Sequence, residues 1–161
     1  MSFGLVILVA HAAIYALDAA GHAPLIAYWL PRSTMIVVLL GLLWSFRHQS
    51  LWPTNSVERL IWVVWIGYLV GVGAIGITLS ASGLDAKFLS AFSAILSGLG
   101  FFVMGVHVWG GAYVIGLAFM CTAPLMGAFL RWASLTHGVL WCAALLAFGM
   151  HYWRLALLER R

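Results

Sequence analysis

The sequence predicts an all-α fold: a polytopic transmembrane helix bundle of about six spans, with five as the alternative count. Three observations carry this. Hydrophobic residues make up 65% of the 161-residue chain and charged residues 7%, against about 45–50% and about 25% in soluble domains. The apolar residues fall in successive runs that approach the roughly 20 residues a helix needs to cross a bilayer. The eight Lys and Arg residues stand between these runs and form no cluster. So few polar side chains cannot cover a wet surface, which excludes a water-soluble globular domain. Nucleic-acid binding is excluded as well, despite the net charge of +4, because phosphate recognition needs a basic patch. The whole chain, 1–161, reads as one transmembrane helical domain whose first partner is the lipid bilayer.

The elements follow in order. A first helix runs from Phe3 to about Ala20 and stops at Gly21-His22-Ala23-Pro24; without a basic n-region, it is expected to be a membrane helix and not a cleaved signal peptide. The second run is ambiguous. Starting at Ser33 it is too short by Phe46, and starting at Leu25 it places Pro31-Arg32 inside the membrane. After the polar loop Arg47–Ser56, Asn55 with Glu58 three residues on forms a capping box that opens a third helix, Val57 to about Ser80. Phe88 to Leu130 is apolar throughout and as one helix would be about 60 Å long, so it must fold back. Trp109-Gly110-Gly111 is the expected corner between a fourth helix ending at Val108 and a fifth from Ala112 to Leu130, kinked at Pro124. Arg131-Trp132 is the expected next turn, and Ala133–Leu157 the sixth helix.

Arg47, Arg59, Arg154, Arg160 and Arg161 fall on one side of such a bundle, and Arg32, Lys87 and Arg131 on the other. The positive-inside rule therefore places both termini in the cytoplasm. Trp29, Trp44, Trp52, Trp62, Trp109, Trp132 and Trp153 lie near span ends, as an aromatic belt would place them. Gly67 with Gly71, extended by Gly73 and Gly76, and Ala94 with Gly98 offer small surfaces for close helix packing. Cys121 and Cys142 sit within apolar runs with no metal-binding spacing and read as reduced packing residues.

No nucleophile elbow, phosphate-binding loop, dinucleotide fingerprint or zinc-protease motif occurs, so no catalytic centre is expected. The histidines are the residues left to carry chemistry. His137 and His151 are fourteen residues apart on one helix, about 21 Å along its axis and about 40° from eclipsed. This spacing is similar to that of b-type cytochrome helices, where two histidines each ligate a separate haem. The depths predict two haem b sites, His107 with His151 and His137 with His11 or His22. Ala133 and Ala147, four residues before His137 and His151, equally admit chlorophyll over the same imidazoles. Asp18 and His22 form an i,i+4 pair suited to a proton relay, and Arg32 is expected either to pair with Asp18 or to snorkel to headgroups.

The stretches Glu58-Arg59-Leu60-Ile61-Trp62-Val63-Val64-Trp65-Ile66-Gly67-Tyr68-Leu69, Gly100-Phe101-Phe102-Val103-Met104-Gly105 and Trp109-Gly110-Gly111-Ala112-Tyr113 resemble the multi-pass membrane region behind the kinase domain of some bacterial serine/threonine kinase-like proteins. The resemblance spans roughly Pro31 to Tyr152. It implies a membrane module separate from any kinase lobe, in a bacterial inner membrane. These motifs are structural, so it transfers no functional residue and implies no phosphorylation.

The first functional expectation is a non-enzymatic accessory or scaffold subunit of a larger membrane complex, partnered with other membrane subunits or copies of itself. The alternative is a b-type cytochrome or other tetrapyrrole-binding electron-transfer subunit. A second alternative is a small transporter or membrane sensor.

Overall fold

A computed structural model describes residues 2–23, 25–46, 53 and 55–159. Among these residues the protein is all-helical, without strands: α1 (Ser2–Ala19), a π-helical turn (Leu25–Trp29) continuous with α2 (Leu30–Phe46), α3 (Ser56–Ser82), α4 (Phe88–His107), α5 (Ala112–Ala128) and α6 (Leu130–Leu158). Pro24, Arg47, Trp52, Arg160 and Arg161, given roles above, lie outside the described residues. Three helices, α3, α4 and α6, are long and apolar enough to cross a membrane; α1, α2 and α5 are shorter apolar helices.

Local chemistry sets most of the boundaries. Gly21 ends α1 at a φ of 75° and Gly83 ends α3 at 69°, a left-handed conformation that glycine adopts without a Cβ penalty. Asn55 opens α3 by accepting the Glu58 amide at 2.8 Å, the cap its sequence predicts. The corner at Trp109-Gly110-Gly111 falls where expected, between α4 and α5.

One boundary that the sequence leaves open is set, and one differs from expectation. The second helix begins at Leu25 with a π turn, one of the two starts the sequence leaves open, and Pro31 and Arg32 are helical within it. The last turn comes at Phe129 and not at Arg131-Trp132. Phe129 alone leaves the helical region, at φ −118° and ψ 60°, while its amide still bonds to Leu125 and its carbonyl takes the Trp132 amide. One residue thus redirects the chain without a loop, and Arg131 and Trp132 join the first turn of α6.

The helices alternate up and down. Asp18 at the end of α1, Tyr28 before α2, Lys87 before α4 and Arg131 at the start of α6 surround one small cavity at one end of the bundle, while Trp109 after α4 and His151 late in α6 stack at the other. Packing runs from α3 onto α4, from α4 onto α5 and α6, from α6 onto α1 and from α1 onto α2. The most apolar window of α4 is 61% buried and that of α3 only 6%, so α4 is the central helix and α3 a peripheral one.

The core is aromatic. Phe101 stacks on Phe119 at 5.4 Å, and Trp65, Trp141 and Phe148 close around Phe101 at 5.4–5.8 Å. Such pairs add about 0.5–1.5 kcal/mol each beyond area burial. Trp29 also turns inward from its expected belt position, its ring against Gly76. The outer surface is hydrocarbon: Leu5, Val9, Val37, Val63, Val70, Ile77, Val106 and Val114 are all more than half exposed. The hydroxyls of Thr34, Ser45, Thr78 and Thr122 donate to the carbonyl four residues earlier, which satisfies them without water.

Candidate functional site

Polar groups excluded from the outer surface collect inside. His11 is 4% exposed and stands where α1 crosses α6. A Cβ on Gly138 would come within 2.6 Å of the His11 Cβ, so glycine alone permits this approach. His11 Nδ1 then lies 3.1 Å from Ser134 Oγ, and the Ser134 hydroxyl donates to the His11 carbonyl at 3.3 Å. With its one proton given to the carbonyl, Ser134 Oγ accepts from His11 Nδ1–H.

One turn along α6, His137 is 2% exposed. Its ring meets His11 edge to face at 5.0 Å and Phe119 at 5.8 Å. Trp141 Nε1–H donates to its Nε2 at 3.1 Å. The neutral imidazole therefore carries its proton on Nδ1, and that buried N–H has no partner.

Arg32 enters the same interior from α2 and is 9% exposed. Its Nη1 donates to the Tyr28 carbonyl at 3.1 Å, its guanidinium lies 5.6 Å from the Tyr28 ring, and its Nη2 has no partner. Tyr68 of α3 packs edge-on against Trp65 and Trp141. A guanidinium buried in a membrane bundle is costly, and the carbonyl and ring it meets carry no charge to offset it. Asp18, its expected partner, instead bonds Lys87 Nζ at 3.2 Å and accepts from the Tyr28 hydroxyl at 3.1 Å. Nor does Arg32 snorkel, since it is buried.

Of the five candidate histidines, the structure brings His11 and His137 together. They do not form a haem or chlorophyll site as arranged: the rings touch edge to face, and Ser134 and Trp141 engage one nitrogen of each, leaving no slot for a macrocycle between them. His151 stacks on Trp109 at 4.5 Å, and His107 is exposed at the end of α4. His22 is exposed and its Nδ1–H donates to the Leu17 carbonyl at 3.3 Å, so the Asp18–His22 relay gives way to Asp18–Lys87. Among the described residues no group of three or more His, Cys, Asp or Glu is placed to hold a metal.

Sequence reasoning overlooked Tyr28, Tyr68, Trp141 and the serines. A signal was present: Ser90, Ser93 and Ser97 repeat at i, i+3 and i+7, one stripe of an otherwise apolar helix, and all three are buried. Ser90 Oγ has no partner and lines the cavity at Asp18, Tyr28, Lys87 and Ser134, whose room of about 10 Å³ suits one water. Three buried polar atoms lack a partner among the described residues, Arg32 Nη2, Ser90 Oγ and His137 Nδ1, and Asp18 is the carboxylate at the cavity. Neither family models, curated proteins nor solved structures match this chain.

Proposed function

We propose that this chain is an integral membrane protein of six spans, both termini cytoplasmic, that binds an ion in its interior and carries it across the bilayer. The observation behind this reading is Arg32, a buried guanidinium whose partners, the Tyr28 carbonyl and ring, carry no charge. Ionisable groups facing the inside of a membrane bundle are expensive, and they mark ion pathways far more often than packing positions. The alternating helices support the span count, with α1 at 18 residues still about 27 Å long. The test is ion flux into proteoliposomes. Wild-type protein is expected to exceed protein-free vesicles, and Arg32→Leu to bring the flux down at least tenfold; wild-type flux equal to that of empty vesicles defeats the reading.

A second reading, an accessory subunit of a larger membrane complex, is favoured by α3. It is hardly buried, and Gly67 and Gly73 open onto free space, the small surface on which another membrane helix packs closely. Cysteine crosslinking at position 70, exposed one turn along α3, in native membranes is expected to trap a higher-mass species that Gly67→Leu abolishes. A chain that stays monomeric in both forms counts against it.

A further inference from the structure

We infer that the small cavity at the Asp18 end of the bundle holds one water and forms with Ser134 a proton path between that end and the His11 imidazole. This rests on the ion-carrying reading above and names the ion as a proton. The cavity is the first argument. Asp18, Tyr28, Lys87, Ser90, Arg131 and Ser134 line it. Asp18 and Lys87 stand 3.2 Å apart with side chains 25% and 31% exposed, so two of its lining groups reach bulk water. Ser90 Oγ is fully buried there and has no partner, whereas Ser93 and Ser97 on the same stripe donate to the carbonyl four residues earlier. A buried hydroxyl without an acceptor is costly, and the room of about 10 Å³ beside it takes one water.

Connection to the interior is the second argument. Ser134 both lines the cavity and holds His11, its Oγ lying 3.1 Å from His11 Nδ1 and 3.3 Å from the His11 carbonyl. One Oγ lone pair is left for the cavity water. The line from Asp18 to His11 then runs carboxylate, water, hydroxyl, imidazole. A proton arriving at His11 Nε2 makes an imidazolium. Its Nδ1 proton passes to Ser134 Oγ as the Ser134 hydroxyl proton passes to the water, which releases it to bulk past Asp18. His11 is left neutral with its proton on Nε2, and the same bonds run backwards take a proton in. Other ions do not fit this line: metal cations such as Ca²⁺ and Mg²⁺ take about six or more ligands, and an anion would face the Asp18 carboxylate. The remaining charged groups stand off it. Arg131 lies over the Trp132 ring at 5.8 Å, and Arg32 of α2 bonds the Tyr28 carbonyl without lining the cavity. On α6, His137 touches the His11 ring with its Nε2 lone pair engaged by Trp141.

The experiment is NMR of the full chain in micelles with isotope-labelled histidine, reading exchange of the His11 ring N–H with water and assigned with His11→Phe. The rate is expected to fall about tenfold or more in Ser90→Val, whose methyl takes the water's room, and in Ser134→Ala, which removes the link. Ser97→Ala deletes a buried hydroxyl of the same helix outside the cavity and leaves the rate unchanged. An unchanged rate in either cavity variant overturns the proposal, as does equal slowing in Ser97→Ala. In proteoliposomes, a pH-sensitive dye is expected to report a proton flux that both cavity variants lower. Flux of potassium or chloride without proton flux overturns the proposal and leaves the ion-carrying reading standing. Exchange through the cavity without flux of any ion keeps the proton path and removes that reading.

Discussion

Gly138→Leu will part α1 from α6 and is expected to destabilise the protein by about 3 kcal/mol, read as unfolding in mixed micelles. The clash begins at the first carbon. A Cβ at position 138 would lie 2.6 Å from the His11 Cβ and 3.2 Å from its Cγ, and a Cβ cannot rotate away as a side-chain tip does. The helices must separate, and separation breaks the pair of bonds between His11 and Ser134. Gly149 on the same helix meets nothing within 4 Å, so Gly149→Leu is expected to change stability by less than about 0.5 kcal/mol. His11→Gly combined with Gly138→Ala should recover part of the loss that Gly138→Ala causes alone, since each removes what the other strikes. Equal effects at positions 138 and 149 would show that this crossing does not hold α1 to α6.

Features fixed by local chemistry were legible in the sequence. The stop at Gly21, the cap at Asn55 and the corner at Gly110-Gly111 each depend on residues within one turn of each other, and each stands where the pattern places it. The break at Phe129 was not legible, because a single residue leaves the helical region there and neither glycine nor proline marks it. Proline marks no boundary in this chain's second or fifth helix: Pro124 lies inside α5, as expected, and Pro31 inside the helix that begins at Leu25.

The site divides in the same way. That His137 stands level with His11 or His22 was the reading from helical depth, and the structure brings it to His11. The consequence was not legible, because the ring nitrogens are taken by Trp141 and Ser134, and which atom reaches a nitrogen first is decided by packing. Asp18 shows the limit most clearly. Sequence neighbours His22 and Arg32 both lose it to Lys87, which only the return of α4 brings to that end of the bundle. A partner supplied by tertiary structure leaves no trace in local spacing.

The α4–α5 interface should be the least tolerant of added volume. Gly98 and Gly116 face each other backbone to backbone: a Cβ on Gly98 would meet the Gly116 carbonyl oxygen at 2.9 Å and Met120 Cγ at 2.6 Å, and a Cβ on Gly116 would meet the Gly98 oxygen at 2.8 Å and Phe102 Cδ2 at 2.6 Å. Carbonyl oxygens move only with their helix. In lipid, helices forced apart are not driven back together by a hydrophobic effect, because the acyl chains that fill the gap are as apolar as the side chains they replace. Gly116→Leu is therefore expected to cost about 3 kcal/mol or more, while Gly127→Leu on the same helix, with open space around it, should cost little. Equal effects at positions 116 and 127 would show that this contact does not hold α4 to α5.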